Sequence, residues 1–116
     1  MAEAIGNDDL LRRYINPEYF NEDGTISSQA FQTTDMSVDL CRLRSLAESI
    51  AASRPGWGQS EFAAGAAFSL GLSVVHSPVD SEDGLPANPA HCHIPGKTTR
   101  TQAKRLRDAA KCVFRP

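Results

Sequence analysis

Residues 37–53 read Ser-Val-Asp-Leu-Cys-Arg-Leu-Arg-Ser-Leu-Ala-Glu-Ser-Ile-Ala-Ala-Ser. Val38, Cys41, Leu46, Ala47 and Ile50 recur at three-to-four spacing, and Leu40 and Leu43 widen the stripe. An apolar stripe of that period marks a helix with one face on a core. Asp35 or Ser37 offers a cap at its start, and Arg54-Pro55-Gly56 stops it. The stretch predicts a long helix over 37–53 and a helix-rich domain around it.

Upstream, Asp8 or Asp9 could cap a short helix through Leu10, Leu11 and Tyr14, closed by Asn16-Pro17. Asp23-Gly24 signals a turn. Residues 26–31, Ile-Ser-Ser-Gln-Ala-Phe, fit either a short strand or a helical turn, and a strand near 26–36 stays open.

Downstream, Ser60 is placed as an N-cap, and Glu61 would sit well at the positive end of the helix dipole. The alanine-rich run 62–70 then predicts a helix, with Gly71 as its left-handed C′ residue. The rival is a period-two strand face of Phe68, Leu70, Leu72 and Val74, which Gly65 and Gly71 would weaken. Short strands over 72–76 and 90–94 are expected to pair as an antiparallel hairpin. Between them, residues 77–89 hold prolines and acids and form an exposed loop, long for a hairpin connection. Pro95-Gly96 should turn the chain. Thr98 or Thr99 caps a last helix to about Cys112, with Ala103, Leu106, Ala110 and Val113 on its apolar side.

The expected fold is therefore a small single α+β domain over residues 1–116, with about three helices packed on a short antiparallel hairpin. Residues 1–7 are expected to be flexible. The length of 116 residues fits one domain. With 41% hydrophobic and 22% charged residues, the chain can bury a core and is not a disordered tail. No apolar run approaches the roughly 18 residues of a membrane span. The acidic N-terminus lacks an apolar signal region, and the odd cysteine count (Cys41, Cys92, Cys112) fits reduced thiols in a cytoplasm. Each cysteine is read as a small buried hydrophobe.

Charge is unevenly placed. Residues 97–116 carry Lys97, Arg100, Lys104, Arg105, Arg107, Lys111 and Arg115 against one acid, Asp108, so the remainder of the chain is acidic. A basic segment on an acidic body points to an anionic partner, unless it lies across that body and neutralises it.

Three functional readings follow. In the favoured one the chain is a non-catalytic binding or adaptor module. It docks nucleic acid or an acidic protein surface through Lys97, Thr98, Arg100, Lys104, Arg107 and Lys111. The segment lacks interleaved aromatics, so stacking on single-stranded bases is poorly supported. In the second, His91 and His93 project from one strand face as general base and acid. They act on a phosphodiester held by Lys97, Thr98 and the helix start, as in a small ribonuclease. In the third, His76, His91 and His93 ligate zinc or another metal, with Asp80, Glu82 and Asp83 as further donors. Each has a plainer counterpart: strand-end or solvated histidines, and threonines that only cap. A nucleotide-triphosphate loop is excluded, because GxxxxGK[ST] needs glycine where His91 stands. No Ser/His/Asp signature, dinucleotide fingerprint or EF-hand spacing is present. No membrane partner is expected.

Overall fold

The computed structural model describes residues 3–116 except 83 and 85. Its strands are β1 (Leu10–Ile15), β2 (Thr34–Leu40), β3 (Gly58–Ala63), β4 (Val75–His76), β5 (His91–Lys97) and β6 (Lys111–Phe114). They form one antiparallel sheet in the order β4-β5-β2-β1-β3-β6. Among the described residues only three short α-helices join it: α1 (Leu46–Ala52), α2 (Ala64–Phe68) and α3 (Arg100–Ala109). This overturns the helix-rich fold of three helices on a hairpin. None of the described helices is long and apolar enough to cross a membrane.

Three segments expected to be helical are strands in whole or part. The decisive one is 37–53. Its first residues belong to β2, a 3-10 turn follows at Cys41–Leu43, and only Leu46–Ala52 is α-helical. Met36, Val38 and Leu40 are buried at alternate positions, which is strand periodicity. The helical stripe runs together residues of β2, the 3-10 turn and α1, and Ala47 within it is exposed. The true helix starts at Ser45, which makes a capping box with Glu48. The segment through Leu10, Leu11 and Tyr14, expected as a helix, is β1. Ser60, expected as a cap, is buried inside β3, and α2 begins only at Ala64.

Residues 28–31 form a 3-10 turn, so the helical alternative holds there. Gly71 takes the left-handed conformation (φ +79°) after α2. β4 and β5 pair antiparallel as expected, through Val75↔His93 and His76↔Cys92. β5 runs past Pro95-Gly96 to Lys97 through a bulge, where Asp35 accepts the Gly96 N–H at 2.8 Å. Thr99 caps α3 with a capping box to Gln102, and the helix ends at Ala109, ahead of β6.

The sheet has one apolar and one polar face. On the apolar side α2, α3 and the 3-10 turn cover Leu11, Val38, Phe62, Cys92 and Ile94. Ala103 and Leu106 of α3 are fully buried there, as the sequence predicts. Phe31 and Phe62 meet edge to face, centroids 6.1 Å apart. On the other side Ser49 of α1 bonds Arg12 and Asp39, and Asn88 bonds Asp39. Of the terminal segment expected to be flexible, residues 1 and 2 lie outside the described residues. Ala4 accepts from Arg42, and Asn7 accepts the Gly65 N–H.

Candidate functional site

On the polar face, Arg12, Asp39 and His91 occupy successive strands in ladder register: Arg12↔Asp39 and Asp39↔His91. Residues directly opposite one another share a face, so these groups converge. Asp39 is buried, and both of its carboxyl oxygens accept hydrogen bonds. Oδ2 accepts from the Tyr14 hydroxyl at 2.7 Å and from Ser49 Oγ at 3.2 Å, while Oδ1 accepts from Asn88 Nδ2 at 2.8 Å. Arg44 stands 3.7 Å from Oδ2. Arg12, also buried, pairs with Glu61 at 2.9 Å and donates to Ser49 Oγ and the Arg44 carbonyl, each at 2.8 Å. Burial, then the bond to Asp39, pushes the Tyr14 phenol up to about 12.

β1 and β2 are paired only at Leu11↔Leu40 and Arg12↔Asp39. Beyond Arg12 they part, and Arg13 bridges the gap by donating to the carbonyls of Ala30 (3.1 Å) and Ser37 (3.0 Å). Over this gap lies a cleft of about 540 Å³, walled by Tyr14, Val38, Asp39, Trp57 and Asn88. Arg13, Arg44, Arg54 and His91 complete much of its lining. Arg54 stacks on Trp57, its guanidinium carbon 5.3 Å from the ring centroid.

His91 and His93 do share the polar face, and Cys92 between them is buried in the core. Ser77 joins the two rings. Its carbonyl accepts from His91 Nδ1 at 2.8 Å, and its hydroxyl lies 2.8 Å from His93 Nδ1. His91 Nε2 bonds Ser37 Oγ at 3.2 Å. The phosphate-holding residues of the ribonuclease reading stand elsewhere. Lys97 is four residues beyond His93 on β5, about 13 Å along a strand. Thr98 is buried, donating to the Phe31 carbonyl at 2.6 Å and accepting the Thr33 N–H at 3.0 Å.

His76 is not brought to the other histidines. Its register partner is Cys92, so it points to the opposite face. Its Nδ1 accepts from the Glu3 N–H at 2.8 Å, and its Nε2 donates to the Pro89 carbonyl at 2.7 Å. Asp80 and Glu82 are exposed, and Asp83 lies outside the described residues. Among the described residues no three His, Cys, Asp or Glu side chains are grouped to hold a metal ion.

The basic segment divides. Lys97, Arg100, Lys104 and Arg105 are exposed at the start and along the outer side of α3. Arg107 is half-buried and bonds the neighbouring Asp108 at 3.0 Å. Lys111 begins β6 opposite Glu61, on the polar face of the sheet and away from α3. Cys112 is exposed, Cys41 is half-buried with its thiol pushed up to about 12 by burial, and only Cys92 is a buried hydrophobe.

The sequence does not show the cleft, because Asp39, Arg12 and Arg13 read as parts of helices, where charged side chains face solvent. The available signal was a lone acid inside an alternating apolar run, Met36-Ser37-Val38-Asp39-Leu40. No family model, curated protein or solved structure matches the chain.

Proposed function

We propose that this protein is a non-catalytic binding module that docks a polyanion, a nucleic-acid backbone or an acidic protein surface, on the outer side of α3. One observation carries the reading. Lys97, Arg100, Lys104 and Arg105 are all exposed, and among the described residues none has an acidic side chain within ion-pair distance. The carboxylates of the acidic body do not neutralise this patch. Asp9 and Glu3 hold Arg42, Glu61 holds Arg12, and Asp39 faces Arg44. Unpaired cations on one helix face make a field that neutralises phosphates or carboxylates without catalytic geometry. All three thiols are free, which suits a cytoplasmic setting.

The test is a titration of purified protein with labelled single- and double-stranded RNA and DNA and with a poly-glutamate peptide. It is run at low and physiological salt and read on native and denaturing gels. Salt-sensitive binding is expected, lost in Arg100→Glu/Lys104→Glu while circular dichroism stays unchanged. Binding that survives the double reversal, or no binding to any probe at low salt, overturns the reading. Cleavage of the RNA would overturn its non-catalytic part.

A further inference from the structure

We propose that the cleft on the polar face of the sheet is a binding site for a small organic phosphate that carries a planar ring, of mononucleotide size. The site is separate from α3, which lies on the other face. A volume of about 540 Å³ is within the usual range for small-ligand sites.

Charge selects the sign of the ligand. Among the described residues the lining holds three guanidinium groups, Arg13, Arg44 and Arg54, and a single carboxylate, Asp39. That carboxylate already accepts from Tyr14, Ser49 and Asn88 and faces Arg44, so it has no capacity left for the other two.

Arg13 makes the case sharper. Arg13 is half-buried, and burial holds its guanidinium pKa below the ordinary arginine value. Its two hydrogen bonds go to the Ala30 and Ser37 carbonyls, and no described carboxylate pairs with it. Carbonyls orient a guanidinium but do not neutralise it. Its Nη2 makes no bond to the described residues, and Arg13 borders the cleft at the gap between β1 and β2. A desolvated cation lacking a counter-ion is costly, and a bound oxyanion relieves that cost. A guanidinium also suits the geometry of phosphate oxygens.

The ring is selected by the opposite wall. Trp57 and the Arg54 guanidinium are already stacked, and Tyr14 and Pro86 also line the cleft. Flat π-surfaces and guanidinium planes favour a flat partner.

Trp57 is the only tryptophan in the chain, so its fluorescence reports on the cleft. The experiment titrates the protein with AMP, GMP, CMP and UMP, and separately with adenosine and with ribose 5-phosphate. At least one monophosphate should change the Trp57 emission saturably and raise Tm. Adenosine, which lacks the charge, and ribose 5-phosphate, which lacks the ring, should each bind at least about tenfold more weakly. Arg54→Gln, at an exposed position, should weaken the monophosphate at least about tenfold without loss of fold, and Arg13→Gln should do the same if circular dichroism shows it folded. Arg100→Glu/Lys104→Glu should leave this binding unchanged, which separates it from polyanion docking. The proposal is overturned if no monophosphate gives a saturable change, if adenosine binds as well as AMP, or if Arg54→Gln binds like wild type.

Discussion

Asp39 accepts the Tyr14 hydroxyl at 2.7 Å across the point where their strands separate. Tyr14 lies two residues past Arg12, the residue that faces Asp39 in the ladder, so the contact is diagonal. It replaces the backbone pairing that β1 and β2 give up there, and it closes the floor of the cleft. The same carboxylate ties down Ser49 of α1 and Asn88 of the long loop. Val79 and Asn88 exchange backbone bonds at 2.8 and 3.0 Å, so that anchor extends into the loop.

Asp39→Asn should therefore destabilise the fold by about 3 kcal/mol, because it leaves buried donors and Arg44 facing a neutral group. Tyr14→Phe should cost about 2 kcal/mol, the scale of a bond to a charged acceptor. In the Asp39→Asn background the Tyr14→Phe cost should shrink by more than half, read from urea midpoints. Strict additivity of the two would show that Asp39 is not the hub.

The phenol also makes stability depend on alkali. Tyr14 is raised from an ordinary value of 10.0 to about 12 in the folded chain. Its contribution is thus complete below pH 10.0 and is lost as pH climbs toward about 12, because the unfolded chain ionises first. Wild type should lose more stability than Tyr14→Phe over that window. Parallel pH curves for the two proteins would contradict the assignment.

Gln59 is fully buried in β3, and among the described residues neither its amide nitrogen nor its amide oxygen has a hydrogen-bond partner. An unsatisfied buried amide is a standing penalty. Gln59→Met keeps the length and removes both polar atoms. It should stabilise by about 1 kcal/mol and raise Tm. A lower Tm would mean that the amide is satisfied in solution.

The three thiols should separate by reactivity. With a disulfide reagent at mildly alkaline pH, Cys112, exposed on the edge strand β6, should react at once. Cys41 and Cys92, whose thiols burial pushes up to about 12 and about 11, should react only after unfolding. Cys112→Ser should abolish the fast phase. A second fast thiol in that variant would show that the 3-10 turn at Cys41 or β5 opens readily.

Two glycines should fail for different reasons. A Cβ on Gly58 would lie 2.5 Å from Phe20 Cζ and 2.8 Å from the Phe114 carbonyl oxygen, so Gly58→Ala should cost about 2 kcal/mol or more. At Gly71 a Cβ meets nothing, and only its φ of +79° resists substitution, so Gly71→Ala should cost about 1 kcal/mol. Equal losses in thermal unfolding would refute the steric account of Gly58.

What the sequence determined by itself was local. The left-handed Gly71, the Thr99 cap with Ala103 and Leu106 facing the core, and the common face of His91 and His93 follow from residues within a few positions of one another, and β4 and β5 are consecutive strands joined by one loop. Only the tertiary structure decided that β1, β2 and the start of β3 are strands. The reason is that the middle of this sheet is covered on both faces, by the apolar core on one side and by α1 with the long loop on the other. Arg12 and Asp39 are buried there as partners of Glu61, Ser49, Tyr14 and Asn88, so strand periodicity is hidden under charges that read as solvent-facing. Those partners lie up to 49 residues away in the chain, and a contact at that distance leaves no local trace. The cleft is legible only once the strands that part beneath it are in place.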